Sequence, residues 1–70
     1  MKFILTITMC SILDNTCMPA FTFPTIYEGL YDCQMDGYNK AVTKIDEIGI
    51  ETVNKYGIYS TFYCKPVDLI

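Results

Sequence analysis

The sequence predicts an α+β fold: a small strand–long loop–helix–strand domain, βαβ-like, stapled by disulfides. Three observations carry that reading. An alternating apolar run opens the chain, a helical seam fills its middle, and four cysteines are spread over 70 residues. A chain of this length makes one domain, residues 1–70. A domain so small buries only about 60% of its unfolded surface, so its core alone is marginal and a staple is expected.

In residues 3–13, Phe3, Leu5, Ile7 and Met9 alternate with Ile4, Thr6, Thr8 and Cys10, giving one strongly apolar face and one mixed face. Ile and Thr suit a strand. The rival reading is a secretory signal: Lys2 precedes an apolar run too short for a transmembrane helix, which needs about 20 residues. Thr6, Thr8, Cys10 and Ser11 dilute that run, and Met18-Pro19-Ala20 is a poor cleavage site. A retained strand is favoured.

Residues 14–24 read as loop, with Pro19 and Pro24 around Phe21 and Phe23. Thr25 and Glu28 fit a capping box that opens a helical stretch over residues 25–56. Its apolar seam is Tyr31, Met35, Tyr38, Val42 and Ile45, widened by Leu30, Ala41 and Ile48, and on this reading the seam faces the core. Asp32, Asp36, Asn39, Lys40, Asp46 and Glu47 fall mainly opposite. Gly29 and Gly37 weaken a helix interior but allow close approach of another segment. Gly49 is a natural stop, and Ile50 to Tyr56 adds a further turn ended by Gly57. Residues 58–65 form the second strand, closed by Pro66. With the helix running back across the sheet, both strands point the same way in a right-handed crossover.

Composition excludes more than it identifies. The chain has no His, no Trp and no Arg, and its net charge is −3. Without His it lacks the commonest general base and metal ligand. Without Arg it lacks the bidentate reader of guanine and phosphate, and its average field repels nucleic acid. Neither an enzyme nor a nucleic-acid binder is expected, and no cofactor or integral membrane span is either.

Six residues separate Cys10 from Cys17, fifteen lie between Cys17 and Cys33, and thirty between Cys33 and Cys64. No Cys-x-x-Cys pair exists, which excludes a thioredoxin-type site and disfavours a zinc ribbon. Buried free thiols are the bland alternative, and a metal site built from all four isolated cysteines is the sharper one. In the expected βαβ fold Cys10, Cys33 and Cys64 gather at one end with Cys17 above them, which favours disulfides. Cys10–Cys17 with Cys33–Cys64 is the preferred pairing; Cys17–Cys33 with Cys10–Cys64 stays open beside it.

Two constellations tempt and fail. Asp32, Gln34, Asp36 and Gly37 copy the start of an EF-hand loop, but Thr43 stands where a bidentate Glu is required. Asp46, Glu47 and Glu51 form an acidic cluster beside Lys44 and Lys55, which reads as a solvated face rather than a catalytic pair. The six tyrosines are more suggestive, because Tyr carries interfaces well. Tyr31 and Tyr38 read as core, whereas Tyr27, Tyr59 and Tyr63 are the candidates for a binding surface, with ordinary packing as the competing reading. A strand edge rich in Tyr, Thr and Phe invites pairing with another chain.

Several stretches, in order, resemble a group of small uncharacterised cysteine-containing proteins of marine phages, chiefly those infecting cyanobacteria. They are Met9-Cys10-Ser11, Asn15-Thr16-Cys17-Met18-Pro19, Tyr31-Asp32-Cys33, Gly37-Tyr38, Glu47-Ile48-Gly49, Val53-Asn54-Lys55-Tyr56 and Ile58-Tyr59 through Phe62-Tyr63-Cys64. In that group all four cysteines belong to the pattern, which disfavours cleavage between Cys10 and Cys17. Ala20 departs from it, a second Pro being usual there. The resemblance implies a viral accessory protein acting in an infected bacterium and carries no activity with it.

These readings converge on a small non-enzymatic interaction protein that pairs with a protein partner or as a homodimer. A secreted or periplasmic disulfide-stabilised protein with Met1 to Ala20 as its signal is the alternative. A four-cysteine metal module is the second alternative.

Overall fold

The computed structural model describes residues 1–67. It has mixed α+β architecture, in the order β1 (Lys2–Ser11), β2 (Thr16–Cys17), β3 (Phe21–Tyr27), α1 (Leu30–Ile48), α2 (Ile50–Tyr56) and β4 (Ile58–Val67). The alternating run that opens the chain becomes the central strand. On one side β1 pairs with β4 over its whole length, Lys2 opposite Val67 through Ser11 opposite Ile58. On its other side it pairs first with β2, at Cys10 and Ser11, and then with β3, from Ile7 opposite Phe21 to Phe3 opposite Tyr27.

All three pairings are antiparallel, which corrects the parallel crossover expected from sequence. The cause lies in residues 14–24. They are not a plain loop: the chain turns at Ile12–Asn15, where Asn15 takes the left-handed conformation at φ 53° that its short polar side chain tolerates. β3 then returns alongside β1 to the end where β1 began. Starting from that end, α1 travels in the direction of β1, so β4 must descend against it.

The expected capping box at Thr25 and Glu28 is likewise overturned. Thr25 and Tyr27 belong to β3, whose alternating aromatic and β-branched residues pack better on β1 than in a helix. Glu28 pairs instead with Lys2, and α1 opens after Gly29 without a side-chain cap. At the far end α1 stops at Gly49. Gly57 closes α2 in the left-handed conformation, φ 65° and ψ 46°, its N–H donating to the Val53 carbonyl.

Phe3, Leu5, Ile7 and Met9 face α1 with Phe23, Tyr27, Phe62 and Cys64, and Leu5 and Cys33 are fully buried there. The helix meets this face along Cys33, Gly37, Ala41 and Ile45. That line replaces the expected seam, since Tyr31 and Tyr38 are not core but 74% and 62% exposed. A Cβ on Gly37 would lie 2.6 Å from the Phe62 ring and 3.1 Å from Leu5 Cδ1, so the α1 backbone rests directly on side chains of β1 and β4. A bulky seam would hold the helix too high.

Both preferred disulfides are present, and among the described residues no cysteine is free. The expected gathering of cysteines at one end is not. Cys10 and Cys17 are direct cross-strand partners with Cα atoms 4.0 Å apart, on the sheet face away from the helix. Cys64, opposite Leu5 and well inside β4, bridges to Cys33 on α1 across a Cα–Cα distance of 6.1 Å. With the sulfurs joined in pairs, the four-thiolate metal site has no ligands left.

Two predictions follow from this frame. Replacing Cys33 and Cys64 together by Ala reopens a loop of sequence separation 31, and the chain-entropy relation makes that worth about 3.7 kcal/mol. The same change at Cys10 and Cys17, separation 7, is worth about 2.4 kcal/mol. Urea midpoints should therefore fall further for the first pair, and the reverse order would show that the helix does not depend on its bridge.

The second concerns Tyr27, whose phenol donates to the Asp36 carboxylate. That bond first, and Lys40 at 3.3 Å as well, hold the Asp36 carboxyl below its ordinary value. The contribution is present above the unfolded carboxyl pKa of about 4 and is lost as pH falls through the lower folded value. Burial first, and Asp36 second, push the Tyr27 phenol up to about 12. Its contribution is whole below the unfolded pKa of about 10 and is lost as pH rises through the folded one. Tyr27→Phe should cost about 1 kcal/mol at neutral pH. In denaturant titrations across pH this difference should shrink in acid, and the latest-ionising phenol should vanish from the absorbance titration.

Candidate interaction surface

The two sides of α1 differ in chemistry. Toward β3 it presents Asp36, Asn39, Lys40, Thr43, Lys44 and Glu47 around Phe23. These groups are engaged with one another: Lys40 reaches Asp36, Lys44 reaches Glu47 at 3.7 Å, and the Lys40 ammonium lies 5.0 Å from the centre of the Phe23 ring. Toward β4 the same helix presents Leu30, Gln34 and Tyr38, then Ala41, Val42 and Ile45, with Asp46 at the far end. Two shallow grooves run there between the helix and residues Ile58 to Cys64 of the strand. Val42 is 67% exposed, and the Tyr38 ring stands edge-on to Phe62 with centroids 4.8 Å apart. The Ser60 hydroxyl, in the wall of both grooves, is the single buried side-chain oxygen without a hydrogen-bond partner among the described residues.

Beneath that apolar side lies an open strand edge. Among the described residues β4 pairs only with β1. The Ile12 N–H donates to the Gly57 carbonyl at 2.9 Å, which makes Ser11 and Ile58 a non-hydrogen-bonded pair. Alternation then gives the ladder bonds to Tyr59, Thr61, Tyr63 and Lys65. The backbone N–H and C=O groups of Ile58, Ser60, Phe62 and Cys64 point outward. Pro66 falls on this outward set, so it removes no bond to β1, and the strand continues through it to Val67 instead of ending.

The opposite edge of the sheet is different. It is divided between β2 and β3, interrupted by Pro19 and Ala20, bulged between Ile4 and Thr6, and carries Pro24 within β3. These are the devices by which proteins discourage edge pairing. On β4 the continuous stretch from Ile58 to Cys64 has none of them.

Of the tyrosines picked out from sequence, Tyr59 and Tyr63 stand exposed on β4, on the sheet face that the helices leave uncovered. Tyr63 is 62% exposed. Tyr27 does not join them: it is 8% exposed, locked under α1 by Asp36. Reading the sequence missed Tyr38, Val42, Leu30 and Gln34, which were assigned to the core or passed over. The signal was available in Cys33, Gly37 and Ala41, small residues four apart that mark a close-packed line and turn the bulky seam outward.

The other constellations gain nothing. Asp32, Gln34 and Asp36 lie on a continuous helix rather than a loop that wraps an ion, and Asp46, Glu47 and Glu51 are exposed. Among the described residues no helix is long and apolar enough to cross a membrane. A further apolar hollow lies between Met9, Met18, Pro19, Phe21 and Phe23, with Lys44 at its rim, beside the interrupted β2–β3 edge. No protein-family model, curated protein or solved structure matches the chain.

Gly37 sets how closely the helix approaches this edge. Gly37→Ala gains about 1 kcal/mol of helix propensity but overpacks a site where such insertions cost about 1–3 kcal/mol. The displaced atoms are the Phe62 ring, itself held by Tyr38. A net loss of about 1 kcal/mol in urea unfolding is expected, and a stabilised variant would show that Phe62 swings freely.

Proposed function

We propose that this is a small non-enzymatic interaction module that docks another polypeptide as an added strand along β4. The observation that supports this most directly is the pairing of an unblocked strand edge with the mainly apolar side of α1 above it, where Asp46 at the far end is the one charge. Added strands gain affinity from main-chain hydrogen bonds and specificity from the pockets beside them. The outward backbone groups of Ser60, Phe62 and Cys64 supply the first. The grooves around Tyr38 and Val42 supply the second, with Tyr59 and Tyr63 on the opposite face of the same strand. Two disulfides suit an oxidising compartment, and the resemblance to small marine-phage proteins supports an accessory role during infection.

A library of extended peptides displayed against the folded, oxidised protein tests this. Selected peptides should slow amide exchange at Ser60, Phe62 and Cys64 and lose about tenfold or more in affinity on Val42→Glu. Binders that protect β3 instead, or none at all, would sink the reading.

A further inference from the structure

We infer that the strand received by β4 is β4 of a second copy, giving an isologous dimer with a continuous six-strand-wide sheet. The inference rests on the docking proposed above and names its occupant.

Self-complementarity is the first argument. An antiparallel pairing about a two-fold axis at Phe62 sets Ser60 opposite Cys64 of the second copy, and Cys64 opposite its Ser60. All the outward donors and acceptors of Ser60, Phe62 and Cys64 then find partners. Pro66, which has no N–H, falls opposite Ile58 at the two ends of the pairing, where its missing donor costs least. On the helix side the two Phe62 rings meet at the axis, each already backed by its own Tyr38 at 4.8 Å. Four aromatic rings at the centre of a desolvated patch are the usual composition of a binding hot spot. On the other face Lys65, the strand's single charged residue, comes opposite Tyr59 of the second copy rather than another lysine, a favourable cation–π placement.

Helix spacing is the second argument. Gly37 would touch both Phe62 of β4 and Leu5 of β1 with a Cβ, so α1 lies over the boundary between the two strands. Pairing β4 with its copy therefore places the two α1 helices two strand spacings apart, roughly 10 Å. Helices pack at about 8–10 Å. The sides that meet carry Leu30, Tyr38, Ala41 and Val42 with Gln34 among them and Asp46 at the far end, while the Asp36–Lys40 and Lys44–Glu47 pairs point away. Had α1 lain over β4 the helices would collide, and over β1 they would leave a gap.

Extent is the third. The 19 residues of α1 run about 28 Å, and the 10 residues of β4 about 33 Å. A standard interface takes roughly 800 Å² from each partner, and α1 and β4 both run the length of the proposed contact. That area is about 15% of the 5177 Å² the chain exposes, an ordinary share for a small protein.

Sedimentation over a concentration series, with amide exchange read by NMR at both ends of it, tests the inference. A dimer is expected in which Ser60, Phe62 and Cys64 are protected when concentrated and released on dilution, while Thr61 and Tyr63 stay protected throughout. Val42→Glu, at an exposed helix position, should weaken the dimer about tenfold or more while leaving the chain folded. Ser60→Pro should do the same by removing an outward N–H. A chain that stays monomeric at about millimolar concentration, or a dimer protected elsewhere, overturns the self-pairing. In the monomeric case, a displayed peptide that protects the same three amides leaves strand docking standing. If no peptide does so, both readings fall.

Discussion

The architecture depends on one close approach, that of Gly37 to the side chains of Leu5 and Phe62. A helix laid on a sheet normally keeps its distance by the length of its buried side chains. Here the contact line is Cys33, Gly37 and Ala41, so the backbone of α1 settles onto the boundary of β1 and β4. The Cys33–Cys64 bridge then ties it down. Burying so little side-chain volume has a cost: the fully buried set contains Leu5 and Cys33 and little more. A core of that size stabilises only weakly, and the disulfides, which act chiefly on the unfolded chain, offset it.

That geometry also decides what is left outside. A helix with small residues against the sheet and large apolar ones around Tyr38 and Val42 is built inside out by the standard of an isolated domain. Its polar side is occupied with Phe23 and its own ion pairs, which leaves the apolar side over the free strand. Exposed apolar area of this kind is a marker of contact with another macromolecule. It coincides with the stretch of edge that carries no Pro, no bulge and no inward charge, and two independent features of the sequence thus point to one side of the molecule.

What could be read from the residues alone followed physical periodicity closely. The alternation of Phe3 to Cys10 identified a strand, Gly49 and Gly57 marked the helix ends, and the preferred cysteine pairing is the one observed, although the one-ended gathering that favoured disulfides is not. Strand direction was not legible, because it turned on whether Phe21 to Tyr27 adds a strand of its own. Thr25 and Glu28 offered a local helix signal there, and tertiary pairing of Tyr27 opposite Phe3 overrode it. The orientation of α1 failed for a related reason. Apolar periodicity reports that a helix has two faces, and only the partner surface decides which is buried. Cys33, tied to Cys64, made that decision against Tyr31 and Tyr38.

The contrast between the sheet's two edges bears on the origin of the exposed side. Were the bareness of β4 merely a lack of protective residues in a small chain, the other edge would be equally bare. Instead Pro19, Pro24 and a bulge interrupt the β2–β3 edge, while Pro66 on β4 sits at the strand's end, outside the stretch from Ile58 to Cys64. A proline there limits how far an added strand can extend without preventing it from forming. Protection is therefore present in this chain and is distributed unevenly, and the unprotected edge is the one beneath Tyr38 and Val42. An open backbone beneath an apolar helix flank is the combination that the proposed docking edge requires.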